Sequence, residues 1–229
     1  MNRNSIIKAG FIAAASLGIM AFTMTPATAE PIGAMSSPDV VKEIRDLDPF
    51  TKIHIKGALK LHVTGGEDQH VSVEVDEDYV DDLRTSVEDG TLIIDMSREG
   101  KKKRWKGPKV EMNISMQILE SIELDGAMDA ELVNLSGGDL DIDISGAGNI
   151  SIEGSCNTLR VNLSGAGNIE AEDFKCKNAK IRLSGAGNIE AYATEKADVR
   201  LAGIGNIDIT GNPKEISKKK GGFGSIDIR

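Results

Sequence analysis

Aromatic residues make up 3% of this 229-residue chain, with one Trp, two Tyr and five Phe. That leaves little material for the stacking platforms that grip bases or sugar rings. A basic excess is missing too: 27 Lys and Arg stand against 36 Asp and Glu, a formal charge of −9. An acidic chain is a poor match for nucleic acid. No His follows Cys156 anywhere in the chain, which argues against a thiol nucleophile with an imidazole base. Beyond the first 29 residues there is no long apolar run, so no transmembrane helix is expected in the remainder.

The first 29 residues read as a secretory signal. Arg3 and Lys8 give a positive start, Ile6 to Met24 is mostly apolar, and Ala27-Thr28-Ala29 has the small-x-small form of a cleavage site. No cysteine follows that site, which argues against a lipid anchor. Removing Arg3 and Lys8 with the leader makes the rest more negative by two, −11. The mature protein is expected to be soluble and exported, to the periplasm, the outer-membrane surface or the medium. Residues 30–49, polar and with prolines, read as a flexible leader.

What the chain has in plenty is glycine, 25 residues, together with strand-forming Ile and Val. The glycines fall in a pattern. LSGAGNIE occurs at Leu163–Glu170 and again at Leu183–Glu190. An earlier copy runs from Asp143 to Ile150, a later one from Leu201 to Asp208, and worn copies start at Leu124 and Gly221. The first glycine of the phrase falls at 126, 146, 165, 185, 203 and 222. A period near 19 to 20 is the mark of a solenoid or β-helix. Each unit holds two alternating runs, such as Leu159/Val161/Leu163 and Ile169/Ala171, separated by polar residues. Period-two alternation predicts half-buried strands. Stacked units would align equivalent slots about 4.8 Å apart in aliphatic ladders. The fold class expected is all-β, with regular repeats over 119–229.

Residues 50–118 are less regular. Ile53–Ile55, Leu59–Val63, Val71–Val75, Leu92–Met96 and Val110–Ile114 read as strands; Gly65-Gly66 and Asp89-Gly90 read as turns. Tyr79–Val87 reads as a short helix. This segment is expected to continue the solenoid as its first coils and cap, so that 50–229 forms a single domain.

The repeated SGAGNI, preceded by Phe50-x-x-Ile53-x-Ile55-x-Gly57 and by Asp89-Gly90-x-Leu92-x-Ile94, resembles the head GIN domain family of auto-transporter adhesins. The resemblance spans roughly residues 50–229. It implies a right-handed parallel β-helix, export to the bacterial envelope and no enzymatic activity. It brings no catalytic, cofactor or metal residues with it, and none is assigned; no cofactor is expected.

Each motif has a bland reading beside a functional one. Gly-Ala-Gly-Asn resembles a phosphate-cradling loop, but a strand follows where a helix would be needed. Glycines that permit φ > 0 at a tight corner account for it, with Asn149, Asn168, Asn188 and Asn206 stacked as an amide ladder. At the same corner the larger Ile204 and Phe223 replace alanine, so the corner opens there or they are exposed. Gly221-Gly222-Phe223-Gly224 echoes a calcium β-roll but lacks its aspartate and half-length period. If the repeat isoleucines point inward, Glu170, Glu190, Asp208 and Asp227 line up outward as an acidic stripe. The stripe is either screened by water or a loose site for divalent ions or a basic partner. On the other run Asp141 sits over Arg160 and Lys180 over Asp198 as compensated pairs.

Cys156 and Cys176 each lie seven residues before equivalent leucines, so they share a slot in adjacent coils. They are either a disulfide, which an exported protein permits, or two buried thiols. His54, His62 and His70 are spaced by eight, which is no metal signature, and read as solvent-facing. Lys101, Lys102, Lys103, Arg104, Trp105 and Lys106 form a basic run, either a solvated loop or a contact for anionic glycan, lipid head group or envelope phosphate. Ser225–Arg229 reads as an uncovered last strand, open to end-to-end self-association unless Lys218–Lys220 protect it.

The function expected is a non-enzymatic envelope module, an adhesin binding an envelope or surface ligand (glycan, lipid head group or protein) through repetitive faces. A periplasmic structural or stress-related scaffold is the alternative. A polysaccharide-active β-helix enzyme is the minor one.

Overall fold

The computed structural model describes residues 40–96 and 110–229. The leader at 1–29 and the basic run at Lys101–Lys106 lie outside the described residues. In chain order the strands are β1 (Val40–Arg45), β2 (Lys52–Gly65), β3 (His70–Asp76), β4 (Arg84–Glu88), β5 (Thr91–Asp95), β6 (Val110–Met116), β7 (Ser121–Leu135), β8 (Asp139–Ile144), β9 (Ala147–Leu163), β10 (Ala166–Leu183), β11 (Ala186–Leu201), β12 (Ile204–Thr210), β13 (Glu215–Lys220) and β14 (Phe223–Ile228).

From β7 onward, each strand pairs in parallel with its equivalent one coil later. The result is a parallel β-solenoid of about five turns. The alternation read from the sequence fills it. Ile122, Ile142, Val161, Ile181 and Val199 form one inward file, and Leu124, Ile144, Leu163, Leu183 and Leu201 the next. None of these ten side chains is more than 1% exposed. Each buried aliphatic contributes roughly 1.5–3 kcal/mol relative to leaving it in water.

The corner between the two runs of a coil explains the phrase that repeats. Ser164 and Gly165 both donate through their backbone N–H to Ile144 O, and Ala166 donates to Gly146 O; one coil on, Ser184, Gly185 and Ala186 do the same to Leu163 and Gly165. The corner is therefore part of the ladder, and successive coils touch there. A Cβ on Gly165 would sit 1.7 Å from Gly146 O, and one on Gly185 would sit 1.8 Å from Gly165 O. Close approach of backbones, with no positive φ, is what demands the first glycine of the phrase. The sequence expectation of φ > 0 applies to the second one instead, for example Gly205 at φ 147°. Ile204 and Phe223, the large residues in the alanine slot, are 62% and 78% exposed.

The N-terminal part joins the first coil through β2. Ile53 and Ile55 extend the two inward files, in register with Ile122 and Leu124 of β7. β6 also runs parallel to β2, but β3 runs antiparallel to both β6 and β1. β4 and β5 form a hairpin through Asp89 (φ 48°) and Gly90 (φ 71°), the two left-handed residues of a tight turn. Two expectations are corrected here. The helix read over Tyr79–Val87 is a 3-10 segment at Glu77–Asp82 followed by strand β4, because Thr85 and Val87 pair with Ile94 and Leu92. The flexible leader read over 30–49 contains a strand, β1, whose Val41 packs against the core.

Candidate functional site

Two sets of outward residues flank the glycine corner. After the corner, the register creates three parallel files. The first is Ala127, Ala147, Ala166, Ala186, Ile204 and Phe223. The second is a hydrogen-bonded ladder. Asn149 Nδ2 donates to Asp129 Oδ1 (3.0 Å), Asn168 to Asn149 Oδ1 (3.3 Å), Asn188 to Asn168 Oδ1 (3.2 Å) and Asn206 to Asn188 Oδ1 (3.1 Å); Ser225 Oγ donates to Asn206 Oδ1 (2.9 Å). The third file is Glu131, Ser151, Glu170, Glu190, Asp208 and Asp227, all in register. The four acidic residues singled out from the sequence thus stand one above another. Arg229 reaches Asp208 at 3.3 Å and neutralises that end of the file.

The first coils of this surface are concave. A groove of about 410 Å³ runs over Ala58, Ala127, Ala147 and Ala166 beside Asp129 and Asn149. A second of about 320 Å³ adjoins it, lined by Lys60, His62, Glu111, Glu131, Ser151 and Glu170 among others. The mixture of short side chains, amides and carboxylates offers hydrogen-bond donors and acceptors at one-coil intervals.

His54 and His62 are not simply solvent-facing. His54 Nε2 lies 2.9 Å from Asp125 Oδ2 and its Nδ1 lies 3.9 Å from Glu123. His62 Nδ1 lies 3.2 Å from Glu131, and Nε2 3.6 Å from Glu111. Ser145 Oγ donates to Asp125 Oδ1 at 2.6 Å. That bond, with the His54 contact, holds the Asp125 carboxyl below the usual value of 3.8. His54, Glu123 and Asp125 offer ligand atoms within 4.8 Å of one another, a set with the chemistry to hold a divalent cation. These partners come from strands about 70 residues away, so no local spacing could reveal them.

Before the corner, charge is sorted along the solenoid. Glu123, Asp125, Asp139, Asp141 and Asp143 lie on β7 and β8. Arg160 on β9 bonds Asp141 (3.0 Å) and Asp139 (2.8 Å), and its guanidinium pKa rises accordingly. Asp198 stands in register with Lys180, but its nearest cation is Arg200 on its own strand, at 3.8 Å. The pair read from the sequence between Lys180 and Asp198 is therefore not a close one.

Cys156 and Cys176 are joined as a disulfide, with Cα atoms 4.5 Å apart, tying β9 to β10 in the same slot.

The fold and these surfaces define a class: a repetitive β-solenoid that presents ordered files of small, amide and charged side chains. Among the described residues no helix is long and apolar enough to cross a membrane. The family model described as putative auto-transporter adhesin, head GIN domain, matches residues 49–213, and the chain belongs to that family. A crystal structure of a putative adhesin from Bacteroides fragilis is similar, with a TM-score of 0.61 at 21% identity over 84% of this chain and 98% of that one. A putative lipid binding protein from Parabacteroides distasonis has a TM-score of 0.46 at 22% identity, over 83% of this chain and 97% of that one. A putative adhesin from the same organism has a TM-score of 0.47 at 16% identity, over 83% and 97%. No curated protein matches. None of the three structures is described as an enzyme.

Proposed function

We propose that the protein is an exported, non-catalytic adhesion module of the bacterial envelope, which grips its ligand by many weak contacts along its files. The observation that carries this reading is the repetition of outward chemistry. The same small, amide and carboxylate groups recur once per coil, so a repetitive ligand could engage several coils at once. Linked contacts of this kind gain strength through effective concentration without any one of them being tight. Three further features support it: the apolar leader ending in Ala27-Thr28-Ala29, the adhesin description of the family, and a disulfide, which persists in oxidising compartments.

Protease treatment of intact cells tests the location. Loss of the protein from untreated-membrane cells, with a periplasmic control left intact, is the expected result. A fully protected pool sinks the adhesin and favours the periplasmic scaffold. Surface attachment of a deletion strain, compared with its complemented parent, tests the role itself.

A further inference from the structure

The C-terminal coils carry a second surface that the adhesin reading leaves without a ligand. In this acidic chain, parallel register stacks Arg182 on β10, Arg200 on β11 and Lys219 on β13 in one outward file. Neighbours in such a file are about 4.8 Å apart, and like charges directly opposite one another are unfavourable. The fold does little to relieve them. Among the described residues, neither Arg182 nor Lys219 has a carboxylate within ion-pair distance, and Arg200 has only Asp198 at 3.8 Å. Lys180, two residues before Arg182 on β10, adds charge on the same face. Lys218 is notable because it stands in register with buried Val199, at a core slot, yet remains exposed. On this run the acidic residues are concentrated in the earlier coils, where Arg160 pairs with Asp139 and Asp141; the C-terminal coils hold Asp198 and Glu215, beside Arg200 and Lys196.

We infer that this cationic file is a docking site for an acidic polysaccharide, laid along the solenoid axis over β10, β11 and β13. The ligand chemistry follows from the arrangement. One cation per coil in a straight row matches a linear polymer bearing a carboxylate on successive sugars. The planar guanidinium groups of Arg182 and Arg200 suit bidentate capture of carboxylate. The scarcity of aromatics suits it too, since recognition by charge needs no ring stacking. The acidic coils of β7 and β8 repel the same polymer, which restricts it to the C-terminal half and fixes where its end lies. This inference rests on the adhesin reading for its biological meaning, but the chemistry stands on the file alone.

Affinity electrophoresis of the purified protein separates the possibilities, with polygalacturonate, neutral dextran or vesicles of phosphatidylglycerol as probes. Retardation by polygalacturonate and not by dextran is expected, weakening as salt rises through the range in which the Debye length falls to about 8 Å. Arg182→Glu with Arg200→Glu should weaken binding by about tenfold or more, with thermal unfolding checking that the pair still folds. Lys42→Gln, on β1 and outside both files, should leave it unchanged. Should the charge-reversed pair fail to fold, Arg182→Gln with Lys219→Gln serves in its place, with a smaller loss in the same direction. Binding equal to that of the unaltered protein in the folded variants overturns the inference. So does retention by vesicles alone, by dextran, or by none of the probes. Because this assay uses isolated protein, failure here leaves the localisation result standing, and a periplasmic location leaves this one standing.

Discussion

At each corner of the regular coils a glycine lies so close to the coil below that any side chain would collide with a carbonyl oxygen, whereas Gly90 in the β4–β5 hairpin has open space around it. Both positions are glycine, for unrelated reasons. The coils need it for the distance between backbones. The hairpin needs it for a left-handed φ of 71°. The coil requirement repeats with every turn, and this is why the sequence there is nearly periodic. In the N-terminal part β3 reverses direction against β6 and β1, each strand has its own neighbours, and nothing forces a common phrase.

The largest test of this contrast is a pair of alanines. Gly165→Ala places a Cβ 1.7 Å from Gly146 O. It should cost about 4 kcal/mol or more, or abolish folding. Gly90→Ala should cost only about 1 kcal/mol, the penalty of a left-handed alanine. Equal losses in denaturant midpoint would break the distinction.

Next comes the disulfide, which clamps coils in the regular part. Cys156 and Cys176 are separated by 20 residues. Opening a loop of that size should cost about 3 kcal/mol. Hydrogen exchange should then quicken in β9 and β10 before β3 and β6, and uniform quickening would show that the two regions unfold as one.

A smaller effect is expected in the amide ladder. Asn188→Ala removes the partner of both Asn168 and Asn206. Its cost should be about 1 kcal/mol. Lys60 occupies the same file in β2, in register with Asp129. Lys60→Ala should stay within about 0.5 kcal/mol, since a flexible surface lysine there lies outside the amide ladder. Thermal melts of the two variants compare them directly.

The smallest effect lies at the junction between the regions. The Ser145 and His54 bonds lower the Asp125 pKa in the folded state. A depressed carboxyl contributes stability that is fully present above its ordinary value of 3.8 and is lost as pH falls through the folded one. Asp125→Asn should therefore lower stability slightly at neutrality and flatten the acid limb below about that pH, so that the two proteins converge in acid. An unchanged acid limb would remove the assignment.

Much of the solenoid could be read from the chain because the repeat is local: Leu163 and Leu183 announce the same slot by their spacing alone. The acidic file and the shared cysteine slot followed from the same arithmetic. Other features depend on pairings between distant segments. His54 meets Glu123 and Asp125 only because β2 lies in register with β7. The cationic file was as legible as the acidic one: Arg182, Arg200 and Lys219 each lie three residues before a repeat glycine, at 185, 203 and 222, so the same spacing puts them in one slot. The strand at Val40–Arg45 escaped because its pairing partner, β3, runs antiparallel and outside the repeat.

The shared corner has an evolutionary reading as well. Excising residues 164–183 would join Leu163 to Ser184 and leave LSGAGNIE intact across the seam. Every inward file would still meet its own kind, because the lost segment is one full coil. Chains built this way can grow or shrink by unequal recombination in whole turns, changing reach without redesigning the core. That particular excision would take Cys176 with it, leaving Cys156 without its partner, and would shorten the cationic file by Arg182. The bridge therefore marks two neighbouring coils as a unit that recombination must keep or lose together.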